Sequence, residues 1–116
     1  MATTTTIELP NNDRATIYPY DASKIRESLK ALAKQNIHIN MGDTSLLNSI
    51  EFQISSGKSI LKSYEVKQED GTFKELSELE KAKLINERPK ITNWLVKKAQ
   101  ELANDVDKEF EDDSKN

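Results

Sequence analysis

Residues 89–110 read PKITNWLVKKAQELANDVDKEF, and this stretch decides the fold. Its apolar residues recur every three or four positions, the spacing that gathers side chains on one side of an α-helix. The pattern predicts a long amphipathic C-terminal helix that forms one side of the molecule. Pro89 either separates this helix from the preceding one or occupies its first turn. The stripe continues over about five turns and consists of Ile91, Trp94, Leu95, Ala99, Leu102, Val106 and Phe110, with Lys98 beside it.

Two local signals lie directly upstream of that helix. The Asp70-Gly71 pair stands between alternating residues 65–67 and 72–74, which is a strong signal for a second, small β-hairpin. Ser77 followed by Glu80 forms a capping box and predicts a helix that ends near Glu87. The expected apolar side of this helix consists of Leu79, Ala82, Leu84 and Ile85.

Residues 43–66 fit two interpretations. As a helix capped by Asp43, the segment has an unbroken spacing of three and four residues through Leu47, Ile50, Ile54, Gly57, Leu61 and Tyr64. As a hairpin, residues 50–54 alternate, residues 55–58 turn, and residues 60–66 form the second strand. The unbroken period slightly favours the helix, although the serines and glycine at 55–59 are poor helix formers.

The first third of the chain predicts an N-terminal β-hairpin followed by a helix. Residues 4–9 and 15–18 are rich in β-branched residues, and the turn cluster at 10–13 separates them. Asp21 is a suitable N-cap for an amphipathic helix over residues 22–35. Residues 37–39 then alternate as a short strand would.

These elements predict a single, helix-rich α+β domain over residues 1–110, with residues 111–116 as a disordered acidic tail. The chain has 116 residues, of which 35% are hydrophobic and 32% are charged. Average globular domains are about 45–50% apolar and about 25% charged, so the expected core is small.

The amino-acid composition argues against several kinds of catalytic and metal-binding chemistry. The chain has no cysteine and a single histidine, His38, which argues against disulfides, thiol catalysis and ordinary zinc sites. We interpret His38 as a partly exposed strand residue rather than a lone general base. We therefore expect no catalytic activity, no metal and no cofactor.

Charge and hydropathy indicate where the protein is expected to be located and which kinds of partner it is expected to bind. No apolar run is long enough to span a bilayer, and residues 1–6 lack the basic and apolar regions of a secretory signal, so we expect a cytoplasmic protein. Only 3 of the 17 basic residues are arginine, which argues against sequence-specific nucleic-acid binding.

Two motifs resemble ligand-binding sites, but each lacks a residue that its site requires. Residues 56–59, Ser-Gly-Lys-Ser, match the end of a phosphate-binding loop, but the glycine required at position 52 is Phe52. The alternating carboxylates from Asp105 onward resemble a calcium loop that lacks its glycine. We interpret the first as a turn or helix surface and the second as a solvated helical face.

The expected working surface is the C-terminal helix. Trp94 is either a core residue, which its place on the stripe favours, or the anchor for a partner. The net charge is −3, and the acidic residues are concentrated after residue 100, so a protein with a basic surface is a suitable partner. Association of the chain with copies of itself, as a homo-oligomer, is the other possibility. The candidate protein-binding residues are Trp94, Lys97, Lys98, Glu101, Asp105, Asp107 and Glu109.

Residues 7–17, IELPNNDRATI, followed by a helix from Asp21, resemble the opening hairpin of some tail assembly chaperones of tailed phages. Those proteins also tend to end in a charged helix. The resemblance covers about 25 residues at the start and implies a non-enzymatic protein that coats tail subunits during assembly in the host cytoplasm. No functional residue is carried over.

Three functional hypotheses follow. The first is a non-catalytic protein-binding module, a phage-type accessory or host-inhibitory protein that acts through its C-terminal helix and acidic end. The second is a phage assembly or virion structural protein. The third, which the composition favours least, is a small enzyme that uses carboxylates and a metal ion.

Overall fold

The computed structural model describes residues 3–34 and 50–114, with side chains as far as Asn104. Two short strands, β1 (Thr5–Glu8) and β2 (Arg14–Ile17), form an antiparallel hairpin at the start of the chain. The later elements are α1 (Ala22–Lys34), α2 (Ile50–Ile60), β3 (Leu61–Lys67), β4 (Phe73–Glu75), α3 (Glu78–Glu87) and α4 (Pro89–Ser114). This architecture confirms the predicted α+β class, both hairpins and the long C-terminal helix.

The strands form one antiparallel sheet in the order β1-β2-β3-β4. Side chains alternate across it because successive residues of a strand point to opposite faces. Ala15, Ile17 and Tyr64 are buried on the inner face. Their core also includes Ile60 from α2, Ile85 from α3, and Leu95 and Ala99 from α4. The helices therefore cover the inner face of the sheet.

Local capping and turn signals are confirmed in detail. The Asp21 carboxylate accepts a hydrogen bond from the backbone N–H of Lys24 at the start of α1. Ser77 and Glu80 form both hydrogen bonds of the capping box of α3. Gly71 has φ +89° in the loop between β3 and β4, a backbone conformation that glycine adopts without strain. Pro89 is the first residue of α4, where its missing N–H costs no helical hydrogen bond.

Neither interpretation of residues 43–66 is right for the whole segment. Residues 50–60 are helical and residues 61–67 form a strand, so the helical spacing that continues to Tyr64 in the sequence does not describe the chain beyond Ile60. The spacing from Leu61 to Tyr64 also fits β3, because a bulge lies between them. Thr16 pairs with Ser63 and Ile17 pairs with Leu61, which leaves Lys62 as the extra residue. Residues 43–49 lie outside the described part of the chain.

The predicted apolar side of α3 is wrong at one position. Leu79 is 82% exposed, whereas Lys81 is buried beside Ile85. Lys81 faces inward because its ammonium donates a hydrogen bond to the backbone carbonyl of Lys62 at the bulge. The backbone of α4 is helical to Ser114, and the proposed boundary at residue 110 stays a prediction. The predicted strand at 37–39, with His38, lies outside the described residues.

Candidate functional site

A cleft at the N-terminal end of α4 brings the first hairpin against the predicted binding helix. Its volume is about 320 Å³. The hairpin loop contributes three residues and α4 contributes most of the rest, because the loop after β1 lies over the first turns of the helix. The lining consists of Leu9, Pro10, Asn11, Arg88, Lys90, Ile91 and Trp94. We refer to this set as the Trp94 cleft.

The hairpin loop is held in place by Asp13. The backbone N–H of Leu9 donates to the carbonyl of Asp13, and the Asn11 amide donates to the Asp13 carboxylate. The same carboxylate accepts from the Tyr64 hydroxyl at 2.6 Å and from the backbone N–H of Lys67 at 3.1 Å. These bonds tie the loop to β3, so this wall of the cleft is preorganised.

Tyr64 is fully buried beneath this loop. Burial, followed by the hydrogen bond to Asp13, raises the pKa of the Tyr64 hydroxyl to about 12. The hydroxyl is therefore neutral and able to donate to Asp13 throughout the physiological range.

Trp94 lies at the boundary between the core and the cleft. It packs against the core cluster and yet remains half-buried, with the neighbouring Leu95 and Thr92 fully buried on the core side of the helix. The Lys98 ammonium lies 5.4 Å from the centroid of the indole ring, within the range of a cation–π interaction. The indole thus anchors α4 and also presents a surface to the cleft.

The described lining of the cleft carries two cations and no anion. Arg88 and Lys90 are both exposed at its rim. Further along α4, Lys97 is exposed, and Lys98 pairs with Glu101 at 3.4 Å. An apolar floor with a basic rim suits a ligand that carries an apolar group and carboxylates.

The structure brings together only part of the predicted binding set. Trp94 lines the cleft, whereas Lys97, Lys98 and Glu101 follow it along α4. The side chains of Asp105, Asp107 and Glu109 lie outside the described residues. Sequence reasoning missed Leu9, Pro10, Arg88 and Lys90, because no local pattern shows that the first hairpin packs against the last helix.

The Ser-Gly-Lys-Ser motif lies inside α2, where it packs helices together. Ser56 donates to the Phe52 carbonyl and shares a 2.6 Å hydrogen bond with the Tyr20 hydroxyl. A Cβ added at Gly57 would lie 2.8 Å from Thr92 Cγ2. The N–H groups of a helix interior are used by the helix itself, so this segment does not form a phosphate cradle.

The rest of the described molecule offers weaker candidates. The cleft between α1, α2 and α4 is larger, about 720 Å³, but Asp21 is the one charged residue in the part of its lining that the structure describes. Within residues 3–34 and 50–104, no cluster of three or more metal-ligating side chains is present. None of the described helices is long and apolar enough to cross a membrane.

Comparison with known proteins finds no matching family model, no matching curated protein and no matching solved structure.

Proposed function

We propose that the protein is a non-catalytic protein-binding module and that the Trp94 cleft docks a segment of its partner. The observation that carries this proposal is a half-buried tryptophan in a preorganised apolar cleft whose rim holds Arg88 and Lys90. Tryptophan and arginine are enriched among the residues that dominate binding energy at protein interfaces. A wall fixed by hydrogen bonds lowers the ordering cost of binding.

The chemistry of the cleft favours a partner segment with one apolar side chain flanked by carboxylates. The apolar group would contact Trp94 and Ile91, and the carboxylates would reach Arg88 and Lys90. This differs from the basic partner expected for the acidic end of the chain. The two expectations concern opposite ends of α4, so a basic partner at the acidic end remains a separate proposal.

An assembly role of the tail-chaperone type, in a host cytoplasm, is the second candidate. The two features that carry that resemblance are the first hairpin and the charged last helix. Both features border one cleft, which Leu9 and Pro10 line together with Ile91 and Trp94. This shared cleft supports a joint role for the two features in binding.

The test is affinity capture from a lysate of the cells that carry the gene. The bait carries either the native surface or Arg88→Glu with Lys90→Glu at the rim. The matched control carries Lys30→Glu with Lys34→Glu, which makes the same charge change on exposed positions of α1. Circular dichroism melts confirm that all three baits are folded.

We expect the native and control baits to retain the same protein and the rim variant to lose most of it. The capture should weaken as salt rises, because the rim contacts are charged and exposed. Equal capture by all three baits, or no capture by any, would contradict docking at the Trp94 cleft.

A further inference from the structure

We propose that the segment docked at the Trp94 cleft is the acidic end of a second copy of this chain. Two α4 helices would lie side by side in antiparallel orientation, each placing its C-terminal part along the basic N-terminal part of the other. This inference rests on the proposed function and names its partner.

The charged residues of α4, together with Arg88 just before it, change sign at residue 100. The basic residues before that point are Arg88, Lys90, Lys97 and Lys98. After it, residues 101–113 hold seven carboxylates and one lysine. One end of the helix is therefore complementary to the other, which is the requirement for a self-complementary surface.

A single chain cannot bring its own acidic end to its own cleft. The backbone of α4 is one helix from Pro89 to Ser114. At about 1.5 Å per residue, residue 109 lies roughly 22 Å along the axis from Trp94. A second copy, running in the opposite direction, can supply that segment without bending either helix.

The register follows from the sequence of α4. A two-fold axis beside residues 101 and 102 would set Lys98 opposite Asp105 of the second copy, and Trp94 opposite Glu109. The next residue, Phe110, stands between Glu109 and Glu111 and supplies the apolar residue flanked by carboxylates that the cleft suits. The same axis sets Lys90 opposite Asp113 of the second copy. Each contact occurs twice, so the assembly closes as a dimer rather than growing into a filament.

Apolar contact and charge have different roles in this arrangement. Exposed ion pairs are individually weak, so they would add little affinity and would instead determine the orientation and register of the two helices. The Trp94 indole, half-buried in one copy, would lose its remaining contact with water in the dimer.

The experiment is sedimentation velocity on the full chain and on charge-exchanged variants. The basic-to-acidic variant carries Lys97→Glu and Lys98→Glu, and the acidic-to-basic variant carries Asp105→Lys and Glu109→Lys. The control carries Lys30→Glu and Lys34→Glu on α1. We expect native and control chains to sediment as dimers, at twice 13.2 kDa. Each α4 variant alone should dimerise about tenfold more weakly or not at all.

The decisive sample is an equimolar mixture of the two α4 variants. In the mixture, both copies of the contact become oppositely charged again, so we expect a heterodimer to form. A mixture that stays monomeric, or α4 variants that dimerise as well as the native chain, would overturn the proposal. A monomeric native chain whose lysate capture still depends on Arg88 and Lys90 would reject the second copy while leaving the proposed function intact. A monomeric chain without such capture would reject both.

Discussion

The Lys81 ammonium lies 2.7 Å from the backbone carbonyl oxygen of Lys62, the residue that forms the bulge in β3. Lys62 has no partner residue in β2, and its carbonyl accepts a hydrogen bond from a lysine of α3. This contact explains why a charged residue occupies a buried position on α3. It also joins the sheet to the helical layer through a residue that the predicted apolar side of α3 does not include.

Replacing Lys81 with methionine should lower the free energy of unfolding by about 1–2 kcal/mol, because the Lys62 carbonyl loses its donor. Lys83→Met is the matched control, since Lys83 is exposed on the same helix, and it should change stability by less than about 0.5 kcal/mol. Urea denaturation followed by circular dichroism measures both. Equal effects would mean that the Lys81 contact does not stabilise the bulge.

Gly57→Ala should destabilise the protein even though alanine is the better helix former. The new methyl group would lie 2.8 Å from Thr92 Cγ2, and such overpacking costs about 1–3 kcal/mol. The gain in helix propensity is about 1 kcal/mol, so we expect a net loss of about 1 kcal/mol.

A double-mutant cycle tests the cause of that loss. Thr92→Ser removes the opposing methyl group and keeps the hydroxyl that donates to the Ile85 carbonyl at 2.8 Å. The combined variant should therefore be more stable than the sum of the two single effects predicts. Additive free energies of unfolding would show that the two side chains do not compete for space.

Alkaline pH should weaken the fold through Tyr64. Its pKa is raised to about 12 in the folded protein, above the ordinary value near 10 for tyrosine. The unfolded chain therefore releases this proton first. The stabilisation is complete below about pH 10 and is lost as the pH rises towards 12. Tyr64→Phe removes this dependence, so the free energy of unfolding of that variant should fall less steeply between these pH values. Parallel slopes for the two proteins would contradict the assignment.

Trp94→Ala should leave a folded protein, because the indole is only half-buried. We expect the free energy of unfolding to fall by about 2 kcal/mol, less than the roughly 3–5 kcal/mol for a fully buried tryptophan. Trp94→Phe keeps most of the core contact and should cost less. Urea denaturation of both variants provides the comparison. A loss above about 4 kcal/mol from Trp94→Ala would assign Trp94 to the core rather than to a docking surface.

Local signals predicted the elements well, and the reason is physical. The capping box at Ser77, the N-cap at Asp21 and the turn at Gly71 each depend on residues within one turn of one another. The stripe on α4 likewise depends on spacing alone, so its core positions, Leu95 and Ala99, were found from the sequence.

The remaining features depend on contacts between distant parts of the chain. The end of α2 was missed because Leu61 and Tyr64 fit a helical period and a bulged strand equally well. The hairpin side of the Trp94 cleft was missed because Leu9 and Pro10 are about 80 residues away from Ile91 and Trp94 in the sequence and meet them only in the folded chain. The serines of α2 were similarly ambiguous, since their hydroxyls are satisfied by α1 and by their own helix.

Site-specific photo-cross-linking from position 90 tests docking at the Trp94 cleft most directly. A photoreactive amino acid replaces Lys90 at the rim, and in a control protein it replaces Lys30 on α1, outside the cleft. Irradiation of cells that express each protein is followed by mass analysis of the adducts. We expect a discrete adduct from position 90 that is lost when Trp94→Ala is added, and none from position 30. A second copy of the chain would give an adduct of twice 13.2 kDa. No adduct from position 90, or the same adducts from both positions, would contradict the claim that this cleft binds a protein.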